Sequence, residues 1–240
     1  MSASDGALKH HFEDIEQQRG AERLGMWMFL ATEILFFGGV FLAYTVYRHW
    51  YAKDFADISG RLNVLVAGIN TILLLTSSMT MMFAIRAAQL GKRQALLVNL
   101  AASAILGAAF MGFKAYEYNQ DYEEGLVPWS KNFGQVAIHN PEGGPDKPLI
   151  DQWHDKGVAP QRIRLFMTFY FSMTAIHGLH LIIGIGCIAY LWYRAYRGWI
   201  TPDRYVAVEV TSLYWHLVDA IWLFLMPLLY LAGPHHSLHF

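Results

Sequence analysis

Six ionisable side chains interrupt otherwise apolar stretches of this sequence: Glu33, His177, His180, Glu209, His216 and Asp219. Such groups at membrane depth cost about 2.5–3.5 kcal/mol each on insertion scales, so each needs a physical reason. Glu33 sits about two turns into an apolar run, and nothing near it in sequence can pair with it. It is either a carboxyl kept neutral by burial or, the reading we favour, a proton-exchanging group or one paired with another helix. His177 and His180 are three residues apart and lie on nearly one helix face, with Thr174 a turn earlier. Two histidines so placed could ligate a metal. No Glu-x-x-His partner occurs elsewhere, which argues against a di-iron carboxylate bundle. Interhelical hydrogen bonding is the expected use, and no metal site is expected. Glu209, His216 and Asp219 return to one face through spacings of seven and three, and His216 and Asp219 can pair. The expected arrangement is a satisfied polar seam toward another subunit. Trp215, Trp222, Tyr214 and Tyr230 flank it as anchors at the membrane interface rather than as a cofactor box. Lys114 and Glu117, at the end of another apolar run, are expected to be interfacial as well.

Composition sets the medium in which these groups work. Of 240 residues, 55% are hydrophobic and 15% charged, against about 25% charged in a typical soluble domain. Mean hydropathy is +0.25. A disordered chain and a coiled coil are excluded, and an ordinary soluble enzyme is disfavoured. A net charge of −1 gives no pull toward nucleic acid. The single cysteine, Cys187, excludes an internal disulfide and any cysteine-based zinc or iron–sulfur site. There is no Walker loop, dinucleotide fingerprint, nucleophile elbow, His-Glu-x-x-His or Cys-x-x-Cys-His haem attachment. No catalytic centre of its own is expected.

The elements that must position the polar groups are five long apolar runs: 24–47, 62–85, 95–118, 165–193 and 205–231. Each can cross a hydrocarbon core of about 30 Å, which takes ~20 helical residues. No alternating segments of about 10 residues suggest a barrel. The fold class is therefore all-α, a polytopic bundle with five transmembrane helices. The membrane domain is expected over 24–232, preceded by a polar segment 1–23 that is not a signal peptide and followed by a tail 233–240. That tail carries His235, His236 and His239, which are expected to be solvated. The loop 119–162, roughly 40 residues and rich in Gly, Pro and Asp, is expected to pack on a partner. Ala104, Ala108 and Gly112, with Gly38 and Gly39, are the expected sites of close helix packing. Pro227 falls near the outer end of the fifth span, where a kink is tolerated. Basic residues in two short loops, Arg86, Lys92 and Arg93, then Arg194, Arg197 and Arg204, place the N-terminus in the cytoplasm. With five spans the C-terminus is then extracytoplasmic.

Four segments resemble a known family, subunit III of the haem-copper cytochrome c oxidases. They are Trp27–Tyr44 (WMFLATEILFFGGVFLAY), Gly112–Tyr118 (GFKAYEY), Thr174–Gly184 (TAIHGLHLIIG) and Glu209–Leu225 (EVTSLYWHLVDAIWLFL). The third is similar to the family's Thr-Gly-x-His-Gly-x-His-x-x-x-Gly, with Ala175 replacing the first glycine. The likeness runs from about Leu24 to Leu231.

The resemblance implies a subunit that carries neither haem nor copper, both held by partner subunits. It implies packing on subunit I, with subunit II in the same complex, support of proton uptake, and protection of the oxygen-reducing centre. The family's membrane glutamate falls on Glu33, the second histidine of its His-Gly-x-His on His180, and an inner-end arginine on Arg194. In the family these positions cluster around phospholipid, and His180 becomes a candidate neighbour for Glu33. The common mitochondrial form has seven helices, and the five spans here match its last five. That favours a bacterial plasma-membrane enzyme, with the lipid cleft incomplete unless another subunit supplies a wall. The long loop is a candidate contact for cytochrome c or a neighbouring respiratory complex. The alternatives are subunit III of a quinol oxidase, an accessory protein of a nitric oxide reductase, or a stand-alone proton-coupled transporter built on Glu33, Glu209 and Asp219. The last would be expected to show repeated halves or broken helices, and no such symmetry is present.

Overall fold

The computed structural model describes residues 15–138, 147–148, 151, 153, 157–202, 204–231 and 233. Among them are six helices: α1 (Ile15–Trp50), α2 (Ala52–Ser59), α3 (Val64–Gln89), α4 (Arg93–Glu123), α5 (Pro160–Tyr196) and α6 (Val206–Tyr230). All but α2 are long and apolar enough to span a membrane. An antiparallel pairing of β1 (Ala137–Ile138) with β2 (Lys147–Pro148) is the sole sheet among the described residues.

The helices overrun the apolar stretches at their polar ends. α1 has 36 residues and α5 has 37, where ~20 suffice to cross. Residues 15–23 contain no proline and, Gly20 apart, are mostly good helix formers, so α1 begins before the apolar run and segment 1–23 does not end in a break. Residues 1–14 lie outside the described residues, as do His235, His236 and His239 of the tail. Asn63 opens α3 by accepting the Val66 N–H on its side-chain oxygen at 3.2 Å. Gly91, at φ 67°, closes it, with Lys92 N–H donating to the Ala87 carbonyl and Gly91 N–H to Ala88. Arg93 then donates to the carbonyls of Ala195 and Tyr196 at the C-terminal end of α5. Tyr44 does the same for Leu228 near the end of α6, one residue past Pro227.

The chain divides into two compact units. One comprises Met1–Gly39, Ile72–Ala108 and Leu179–Ile221; the other comprises Val40–Thr71, Ala109–Gly178 and Trp222–Phe240. In the first, Trp215 is fully buried and sets the packing. A Cβ on Gly107 would come within 2.7 Å of its ring and one on Gly184 within 2.9 Å. Close packing thus uses Gly107 and Gly184. Gly38, Gly39 and Gly112, where it was expected, have nothing within 4 Å of an added Cβ, and Ala108 is exposed. A bulky ring needs a glycine opposite it, whereas Gly38, Gly39 and Gly112 face no other side chain of this chain.

In the second unit, Tyr44, Phe55 and Phe166 form an aromatic core with ring centroids 5.3–6.4 Å apart. The short α2 contributes Phe55 and Ile58, both fully buried. The described part of the long loop also packs here, against its own unit. Leu126, Val127, Phe133, Trp153 and Val158 are all buried. Those apolar residues find cover within the unit.

Candidate functional site

α1 and α5 bring Glu33 and His180 together, with Nε2 of His180 3.1 Å from Oε2 of Glu33. The side chains keep 18% and 16% of their exposure, so the pair is screened but open at one edge. Phe37 sets its ring edge against the imidazole at 5.2 Å, and Tyr214 donates to the His180 carbonyl at 3.0 Å. A carboxyl and an imidazole in contact can share or pass a proton. Arg194, grouped with them on the family's pattern, does not join them. It lies fourteen residues further along α5, roughly 21 Å at 1.5 Å per residue. Its guanidinium stands over the Tyr190 ring, with Nε buried and lacking a hydrogen-bond partner.

The expected seam divides. Thr174 and His177 belong to one unit, and Glu209, His216 and Asp219 to the other. Glu209 pairs with Arg23 at 2.8 Å instead of with the seam. His216 is held by two serines, Ser78 at 2.5 Å on Nδ1 and Ser212 at 3.0 Å on Nε2. No ion pair or hydrogen bond between His216 and Asp219 forms among the described residues. Asp219 is buried. His177 lies among rings, 5.7 Å from Phe110 and 5.4 Å from Trp222. Thr174 donates to the Tyr170 carbonyl at 2.6 Å and so accepts from Tyr118 at 2.5 Å.

Two polar arrangements escaped the sequence reading. One is a hydroxyl seam in the first unit. Ser77 donates to the Ser103 carbonyl, Thr80 meets the Ser103 hydroxyl at 2.7 Å, and the Trp215 indole donates to Ser77 at 3.1 Å. Its only signal was a run of hydroxyls in a charge-free span. The other is a charged cage. Lys114 and Glu117, expected at the interface, are both buried and 3.0 Å apart. Tyr170 and Tyr230 donate to Glu117 Oε1 at 2.7 and 2.6 Å, and Lys114 donates to the Tyr230 hydroxyl at 2.7 Å. The ammonium also stands 5.2–5.7 Å from the ring centres of Tyr118, Tyr170, Trp222 and Tyr230. Every oxygen of Glu117 is satisfied, which is what lets an ion pair stay at this depth. A signal did exist: Lys114, Glu117 and Asp121 share one face at spacings of three and four.

Among the described residues no three His, Cys, Asp or Glu gather as a metal site would need. Five spanning helices with polar pairs buried between them define an integral membrane protein. The family model described as cytochrome c oxidase subunit III matches residues 4–122 and 163–234, and the chain belongs to that family. The matched residues leave out 123–162, most of the long loop. The chain is 27% identical to a cytochrome bo(3) ubiquinol oxidase subunit 3 of Pseudomonas putida, over 88% of this chain and 85% of that one. It is 28% identical to a cytochrome c oxidase subunit 3 of Bacillus subtilis, over 88% and 86%. With a cytochrome c oxidase subunit 3 of Arabidopsis thaliana the identity is 27%, over 88% of this chain and 68% of the relative. The role is that of subunit III of a haem-copper oxidase, one part of an oxidoreductase complex. Family membership leaves the stand-alone transporter without support.

Proposed function

We propose that this chain packs on subunit I, beside subunit II, of a proton-pumping bacterial cytochrome c oxidase. In this reading haem and copper belong to the partner subunits and this chain binds phospholipid. It sustains proton uptake and so protects the oxygen-reducing centre through repeated turnover. The observation that carries the proposal is the Glu33–His180 contact, made by residues 147 positions apart on two spanning helices. It joins a carboxyl to the group best suited to exchange a proton with it near neutral pH. The N-terminus is cytoplasmic and the C-terminus extracytoplasmic. Support comes from Arg93 bonding to the end of α5, which draws the two basic loops to the same side.

Glu33→Gln keeps a hydrogen-bonding side chain and removes the proton. The variant complex starts at near-normal oxygen consumption and inactivates after several-fold fewer turnovers. Immediate total loss of activity with normal assembly would refute the role. Part of the long loop lies outside the described residues and is a candidate contact for cytochrome c or a neighbouring complex. Deleting 139–146 without effect on assembly or cytochrome c oxidation would remove that idea.

A second reading has a specific observation behind it. The ubiquinol oxidase relative is as similar as those named for cytochrome c. A reduced-minus-oxidised spectrum of the complex purified through this chain, with turnover on both donors, decides between them. A-type haem and cytochrome c oxidation support the first reading, and quinol oxidation alone supports the second.

A further inference from the structure

The cage around Lys114 contains one cation and two carboxylates, Glu117 and Asp121. Glu117 has a donor for each oxygen: Tyr170 and Tyr230 on Oε1 and Lys114 on Oε2. It is thereby fixed as the ammonium's partner. Asp121 sits one turn beyond it at the end of α4, with 9% of its surface left. Its Oδ2 is buried with no hydrogen-bond partner. The charged and titratable groups facing it are Glu117 and Lys114 on α4, Tyr170 on α5 and Glu124 on the following turn. Tyr230 of α6 and Tyr118 complete the wall through their links to Glu117 and Thr174. The one cation in that set is already matched to Glu117, so a charge on Asp121 would be buried with only Tyr170 and a shared lysine to offset it, which is costly. A metal ion does not suit the place, because the Lys114 ammonium repels it and Glu117 has no free oxygen to offer. A proton fits, because it needs one oxygen and leaves the cage neutral.

We propose that Asp121 holds one exchangeable proton, so that the Lys114–Glu117–tyrosine cage and its rim form a proton-binding site on residues other than Glu33 and His180. The proton enters from the loop side. There α4 ends in a turn, with Leu126 N–H donating to the Asp121 carbonyl at 2.8 Å and Gly125 at φ 70°. Glu123 is exposed and Glu124 half-exposed, giving water access to the rim. On the inward side Tyr170 and Tyr230 are fully buried, so the proton returns by the way it came. The site stores a proton and does not conduct one. The inference does not depend on what Glu33 does.

Infrared difference spectra of the intact purified oxidase, recorded as pH is raised, test this. The wild type shows a carboxylic-acid carbonyl band that falls as Asp121 ionises. In Asp121→Asn that band is lost, and in Asp121→Glu, which keeps the acid on a longer stem, it remains at a shifted frequency. An identical band in Asp121→Asn overturns the proposal. If that variant fails to assemble, an unshifted band in Asp121→Glu overturns it equally.

Discussion

The Glu33–His180 pair and the Lys114–Glu117 cage put acidic groups at similar risk and resolve it differently. Glu33 has one imidazole partner and an open edge. Glu117 has a lysine and two tyrosines, and its side chain keeps only 10% of its exposure. A carboxyl held by one reversible contact can change protonation without dismantling its surroundings. A carboxylate held by three donors from three helices cannot, because each donor would be stranded. The first arrangement suits exchange, and the second suits holding α4, α5 and α6 together. Asp121, at the edge of the closed arrangement, is the position where exchange becomes possible again.

The largest effect is expected on breaking the cage. Lys114→Met leaves Glu117 buried with its counter-ion gone, which in comparable buried pairs costs about 3–5 kcal/mol. Subunit III should be lost from the complex during purification, as read by subunit stoichiometry. Adding Glu117→Gln should restore much of the retention, since replacing both members of a buried pair is often near neutral. If the double variant is as depleted as the single, the lysine matters through packing and not through charge.

Tyr230→Phe is the next step down. It removes a donor to Glu117 and an acceptor for Lys114, while keeping the ring that packs on Trp222. Leaving buried polar partners short of a bond costs about 1–3 kcal/mol. A moderate fall in the temperature at which the subunit dissociates is expected. An unchanged temperature would mean that Tyr170 and Lys114 suffice, and that the cage is looser than its distances imply.

Much of the fold was legible, because apolar runs as long as a bilayer is thick leave few alternatives. The ends were less so, since helix formers such as those at 15–23 extend a helix past its apolar run without any hydropathy signal. That extension explains why Glu209 was placed in a seam. Arg23 read as part of a separate polar segment, whereas inside α1 it meets Glu209 on α6. The Glu33–His180 contact could not come from periodicity, which relates residues a few positions apart and not 147; only the family resemblance suggested it. The cage was hidden by an assumption about depth. Lys114 and Glu117 near a run's end look interfacial, but α4 continues to Glu123, and tyrosines from two later helices close over them.

The smallest effect is expected at the open pair, where the comparison can be made sharpest. His180→Gln keeps an N–H able to donate to Glu33 and removes the titrating ring. The contact is a single bond at a partly open edge, so its loss or weakening is worth about 0.5–1.5 kcal/mol. Subunit retention should therefore match the wild type, and the dissociation temperature should fall by less than in Tyr230→Phe. The number of turnovers before inactivation should fall even so, toward the Glu33→Gln value, because the proton-exchanging partner is gone. A dissociation temperature as low as that of Tyr230→Phe would mean the pair also holds α1 to α5, and the distinction between an exchanging contact and a holding one would fail at Glu33.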